Sequence, residues 1–67
     1  MISIVGANIR RQRKLKGLTQ AQLAYMCDIT PGMISDYERG KIDINITAIC
    51  LIADNLGINP GQLFEEL

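Results

Sequence analysis

Helix starts and stops recur so closely along this chain that only short helices fit between them. Thr19 followed by Gln22 has the form of a capping box, in which the threonine hydroxyl accepts from the third helical amide and the glutamine reaches back. Thr30 precedes Pro31, and proline suits a first helical position because the N–H it lacks would be unpaired there. Asn45 is a further cap, and Asn59, Pro60 and Gln62 combine cap, first-position proline and capping box. Gly17, Gly40 and Gly57 supply the left-handed residue at which helices commonly end, and Asp28 and Ile29 make the turn between the second and third helices.

These marks predict five helices: Ser3 to Lys16, about Gln20 to Cys27, Pro31 to about Arg39, a fourth between Asn45 and Gly57, and a short fifth carrying Leu63 and Phe64. Ile2, Val5 and Ile9 recur at helical spacing in the first, and Ile46, Ile49, Ala53 and Leu56 form a candidate buried stripe in the fourth. Apart from Ile42, Ile44 and Ile46, nothing alternates with the period of a strand. The fold class is therefore all-α, as one compact five-helix domain over residues 1–67. A second domain is excluded, since a chain of 67 residues buries only about 60% of the surface its unfolded form exposes. A hydrophobic fraction of 48% against 21% charged residues is enough to build a core.

Composition excludes several classes of activity. There is no histidine, two separated cysteines cannot form a four-ligand zinc site, and neither a glycine-rich phosphate loop nor paired carboxylates are present. No enzyme, metal or cofactor is expected. Uncharged stretches such as Ile44 to Ala53 are far shorter than the roughly 20 apolar residues of a membrane span. Met1 to Ile9 lack a basic leader and a cleavage site, so a cytoplasmic location is expected, with Cys27 and Cys50 reduced and buried.

The net charge of +0 conceals a split. Arg10, Arg11, Arg13, Lys14 and Lys16 give the first 17 residues a charge of +5, whereas beyond them Arg39 and Lys41 stand against seven acids. One part of the surface is thus available to an anionic partner although the whole molecule is not basic.

The most informative segment runs from Gln20 to Arg39. Two short helices meet at a tight turn, with Leu23, Cys27, Ile29, Ile34 and Tyr37 able to close the angle and Ala24 small enough to permit a close crossing. The second of the pair is then presented outward. Together with Ile9-Arg10, Arg13, Gly17-Leu18-Thr19-Gln20, Glu38-Arg39-Gly40, Ile52-Ala53, Leu56-Gly57-Ile58 and Leu63-Phe64, this segment resembles the phage repressor and Cro type of helix-turn-helix family across about residues 5 to 64. The run Glu38-Arg39-Gly40-Lys41 to Ile44-Asn45-Ile46 is similar also to the controller regulators of restriction–modification operons.

The resemblance implies a homodimeric transcriptional regulator that binds double-stranded DNA sequence-specifically. Positions that read base edges in the family are Thr30, Pro31, Gly32, Ser35 and Asp36 here, and Gln20 matches a phosphate-contacting glutamine. Arg39 and Lys41, just past the third helix, are placed to meet phosphate, while Arg13 and Glu38 match an internal ion pair. Between Thr30 and Glu38 no side chain can make the bidentate contact to guanine or adenine that dominates direct readout, so specificity falls to Thr30, Ser35, main-chain contacts, Asp36 accepting from cytosine, or DNA shape. Leu51 lies at a position usually polar in the family. With Phe64 and Leu67 it suggests a subunit surface, unless Phe64 folds back onto the core. The non-basic third helix also supports a different class of function, a protein-binding module that joins another repressor.

Overall fold

The computed structural model describes residues 3–66. Ile2 and Leu67, named above for the first helix and the subunit surface, lie outside the described residues. Four α-helices are formed, α1 (Ile4–Leu15), α2 (Gln20–Cys27), α3 (Pro31–Arg39) and α4 (Ile46–Leu56), followed by a 3-10 helix at Pro60–Phe64. The fifth expected helix is thus a 3-10 turn. It has only five residues, and Gln62 N–H closes onto the Asn59 carbonyl at 2.9 Å, a three-residue link with no room for a ladder of α-type bonds.

The predicted caps of α2, α3 and α4 are made, whereas at Asn59 only the returning half of the expected box forms, its N–H donating to Gln62 Oε1 at 2.9 Å with no bond to the Asn59 side chain. Thr19 Oγ1 accepts from Gln22 N–H at 3.0 Å while Gln22 Oε1 accepts from Thr19 N–H at 2.8 Å. Thr30 Oγ1 accepts from Met33 N–H, Asn45 Oδ1 from Ala48 N–H, and Ser3 Oγ starts α1 by accepting from Gly6 N–H. Each α-helix ends through a residue in the left-handed region, at Gly17, Asp28, Gly40 and Gly57, of which Asp28 (φ 57°) is the one that carries a Cβ. The N–H of the next residue then returns to a carbonyl five positions back, from Leu18 to Arg13, Ile29 to Ala24, Lys41 to Asp36 and Ile58 to Ala53. Leu18, Ile29 and Ile58 are thereby folded against the core.

Ile9, Leu23, Ile34, Ile52, Leu56 and Leu63 are completely or almost completely enclosed, joined by Ala24, Cys27, Tyr37, Ile49 and Ala53. One expectation for α4 is corrected. Ile46 is 65% exposed and Ile52 is 0% exposed, so the inward stripe is Ile49, Ile52, Ala53 and Leu56. Ala48 and Ile49 carry the first turn of α4 onto the core, which turns Ile46 to the outer face. Cys50, expected to be buried, follows Ile49 onto the outer face of the same helix and is exposed, whereas Cys27 is buried.

α1 packs on α3 and on the 3-10 helix, while α2 packs on α3 and α4. Two residues of α1 make these contacts possible. A Cβ at Gly6 would collide with the Tyr37 carbonyl oxygen and stand 3.0 Å from that of Glu38, so glycine lets α1 cross the last turn of α3. Asn8 is buried and its Nδ2 donates to the Leu63 carbonyl (3.0 Å) and the Glu65 carbonyl (2.6 Å), fastening the C-terminal segment to α1.

Candidate functional site

α2 and α3 meet through Leu23, Ala24, Ile34 and Tyr37, all buried, and Tyr37 is a core residue as expected. That crossing turns the other side of α3 outward. Thr30, Pro31 and Gly32 are exposed at its start, and Ser35 and Asp36 are half-buried further along. Thr30 Oγ1 accepts from the Met33 amide and keeps its O–H to donate.

The inner side of α3 is fixed by a buried ion pair. Arg13 Nε donates to Glu38 Oε2 at 2.7 Å and Nη2 to Oε1 at 3.0 Å, a two-point contact in which the side chains are 8% and 1% exposed. Arg13 Nη1 also donates to the Leu18 carbonyl at 2.8 Å, tying the α1–α2 connection to the same point. Gln20, half-buried at the start of α2, joins the network through Nε2, which donates to Glu38 Oε1 at 3.2 Å. The glutamine is therefore positioned by the pair and retains its second amide hydrogen and its oxygen for another ligand.

Past the ion pair the surface carries charge. Arg39 is exposed and its Nη2 lies 3.4 Å from Asp36 Oδ1, a solvent-accessible pair one helical turn apart. Lys41 is exposed beyond the helix stop, and Arg10, Arg11, Lys14 and Lys16 are exposed along α1, with no ion pair among the described residues. No group of three or more histidine, cysteine, aspartate or glutamate side chains able to hold a metal occurs among the described residues. The structure raises one thiol, since burial pushes Cys27 above its ordinary value of 9.0.

Leu51 and Phe64 are both substantially exposed, and Leu51 lines a depression with Cys50, Asp54, Ile58 and Pro60. Phe64 does not fold back; Leu63 fills the core in its place. Sequence reasoning missed two structural residues, Gly6 and Asn8, and an apolar strip along α2, where Tyr25 is 88% exposed beside Leu18, Ala21 and Met26. The composition of α2, with no charged residue from Gln20 to Cys27, was the available signal for that strip.

The Helix-turn-helix family pattern matches residues 9–63. This chain belongs to that family. It is 35% identical over 65 residues to an HTH-type transcriptional regulator of Rickettsia conorii, covering 97% of this chain and 52% of the relative. The chain spans about half the length of the first curated relatives it matches. Among solved structures, the restriction-modification controller protein C.AhdI from Aeromonas hydrophila superposes with a TM-score of 0.88 at 31% identity, covering 91% of this chain and 92% of that one. The P22 c2 repressor protein, solved in complex with a synthetic operator, superposes with a TM-score of 0.84 at 27% identity, covering 94% and 96% of the two chains. No α-helix among the described residues is long and apolar enough to cross a membrane.

Proposed function

We propose that this helix-turn-helix protein is a transcriptional regulator that binds a pseudo-palindromic DNA operator as a homodimer, with α3 in the major groove. The observation that carries the reading is the outward face of α3, held rigidly by Arg13 and Glu38, in a chain similar throughout to a repressor solved on an operator. Gln20, Arg39 and Lys41 contact phosphate and set the register, while Thr30, Pro31, Gly32, Ser35 and Asp36 face the base pairs. Leu51 and Phe64 supply the subunit contact. The two copies of α3 then lie one DNA turn, roughly 34 Å, apart.

Titration of the protein against the DNA upstream of its own reading frame, over a range of salt, tests this. Removing Arg39 or Lys41 weakens binding to all sequences and flattens the logarithmic salt dependence by about 0.9 for each phosphate that is no longer neutralised. Asp36→Asn strengthens non-specific binding, because a carboxylate facing the duplex repels its backbone, except where Asp36 accepts from a cytosine amine. Charging Leu51 or Phe64 reduces sedimenting mass without loss of helix content.

Lack of DNA binding at about 50 mM salt, where phosphate contacts are strongest, rejects the proposal. The second reading, a module that joins another repressor, then stands on the absence of bidentate base-reading side chains from Thr30 to Asp36. The relatives named above are regulators, which supports a non-enzymatic role under either reading.

A further inference from the structure

A depression of about 360 Å³ opens between α1 and the C-terminal segment, lined by Asn8, Arg11 and Gln12 on one side and by Gln62, Glu65 and Glu66 on the other. None of these residues belongs to the helix pair α2 and α3. Asn8 is the buried member of the lining, 1% exposed. Both hydrogens of its Nδ2 are spent on the Leu63 and Glu65 carbonyls, while its Oδ1 accepts no bond from the described residues. Every fully enclosed side-chain nitrogen and oxygen among those residues has a partner, so Oδ1 is not sealed in, and the opening it reaches is this depression. A nearly buried acceptor without a donor calls for one.

The charges around it are equally unmatched. Arg11, Glu65 and Glu66 share the depression, yet none of the three takes part in an ion pair among the described residues. Opposite charges that line one hollow without meeting leave room between them for a molecule that carries both signs. Gln62, whose Oε1 accepts from the Asn59 N–H, keeps the hydrogens of Nε2 to donate. One guanidinium against two carboxylates matches a ligand with one carboxylate and two cationic groups. A bare metal ion would meet the guanidinium, and a diamine would leave Arg11 unmatched. The volume falls at the small end of the roughly 300–1,000 Å³ usual for small-molecule sites.

We infer that this depression is a binding site for a basic α-amino acid, its carboxylate on Arg11 and the Gln12 and Gln62 amides, its two cationic groups on Glu65, Glu66 and Asn8 Oδ1. A ligand held in this way joins α1 to the segment that Asn8 fastens, so its binding is read in the stability of the domain. The inference is independent of the DNA-binding reading, and its test needs no DNA.

The full chain is melted and titrated calorimetrically with L-lysine, L-arginine, glycine, L-glutamate and cadaverine, which is lysine without its carboxylate, at ionic strength equalised with sodium chloride. Lysine or arginine binds with a Kd below about 1 mM and, at about ten times that concentration, raises the melting temperature by about 4 °C or more. Glycine, glutamate and cadaverine bind at least about tenfold more weakly, the loss expected when one charge-assisted contact is missing. Arg11→Gln no longer distinguishes lysine from cadaverine. Glu65→Gln combined with Glu66→Gln weakens lysine binding about tenfold or more. Lys14→Gln removes a charge of α1 outside the depression and keeps the wild-type affinity. All the substituted side chains are exposed, and melts without ligand verify that each variant is folded.

Indifference of the melting temperature to both basic amino acids overturns the inference, as does cadaverine binding as tightly as lysine. Wild-type affinity for lysine in Arg11→Gln or in the double glutamate variant also overturns it, and so does an equal loss in Lys14→Gln, which would reduce the effect to general charge.

Discussion

Removing Arg13 should bring this domain to the edge of unfolding. In Arg13→Met the stem of the side chain is kept and the guanidinium removed, leaving Glu38, whose side chain is 1% exposed, with the Gln20 amide as its remaining side-chain partner. A buried charge stranded in this way costs about 3–5 kcal/mol. For a chain of 67 residues, at about 0.05–0.15 kcal/mol per residue, total stability is about 3–10 kcal/mol, so the loss is comparable to the whole. Glu38→Leu strands the guanidinium instead, which keeps only the Leu18 carbonyl, and should cost a similar amount. The double variant has no stranded charge. It forgoes the bonds to Leu18 and Gln20, both half-buried and within reach of water, so a cost of about 2 kcal/mol or less is expected. Two single costs of about 3 kcal/mol against a joint cost of 2 give a coupling of about 4 kcal/mol. Urea melts monitored by far-ultraviolet circular dichroism measure this, since 3 kcal/mol moves the midpoint by about 3 M when the slope is about 1 kcal/mol per molar. Unfolded single variants can be measured in a stabilising osmolyte applied equally to all four proteins. A coupling below about 0.5 kcal/mol would refute the reasoning.

Other substitutions test the remaining architecture. Gly6→Ala, which would ordinarily strengthen a helix, should destabilise by about 1–3 kcal/mol in thermal melts, because the new methyl meets the Tyr37 and Glu38 carbonyls; a stabilised variant would show that α1 does not cross α3 this closely. Asp28→Gly should stabilise by about 1 kcal/mol in the same assay, through relief of a left-handed Cβ and of a negative charge at a helix C-terminus, and an unchanged melting temperature would count against that strain. Cys50 should react with a thiol reagent at the rate of a free thiol while Cys27 reacts only on unfolding. Because the folded pKa of Cys27 is raised above 9.0, its contribution to stability is fully present below pH 9.0 and is lost as pH rises through the folded value; Cys27→Ala should remove that alkaline component, read as a shallower loss of stability between pH 8 and 10.

What the sequence disclosed about this fold was local. A capping threonine with glutamine three residues on, or a proline after a threonine, is defined by residues within one turn, so the starts of α2, α3 and α4 could be read directly. The left-handed conformation of Asp28 was legible through the family resemblance, since that turn position is usually glycine. Gly6 and Asn8 gave no such sign, because their roles depend on which backbone lies across α1. Counting the apolar stripe of α4 from Ile46 began on a residue of the outer face, and it missed Ile52, which three-residue spacing from Ile49 would also have allowed. At the candidate site, the outward residues of α3 follow from the helix pair, but Arg13 and Glu38, twenty-five residues apart, were legible through family resemblance and not through any periodicity. The link from Gln20 to that pair was not legible at all, since a glutamine at a helix start looks the same with or without a carboxylate beside it.

The bonds from Asn8 to Leu63 and Glu65 join points 55 and 57 residues apart and so make the folded chain into a closed ring. Closing a loop of that length has an entropic cost of about 3.5 kcal/mol beyond the constant term, whereas α2 and α3 are neighbours in sequence and meet across a short turn. The helix pair can thus assemble before the ring closes. When the ring opens, a buried amide and two carbonyls lose their bonds and Leu63 leaves the core in the same event, so this segment should open as one unit and not residue by residue. Hydrogen exchange at Leu63 and Glu65 should therefore rise together, in a step separate from that of the helix pair.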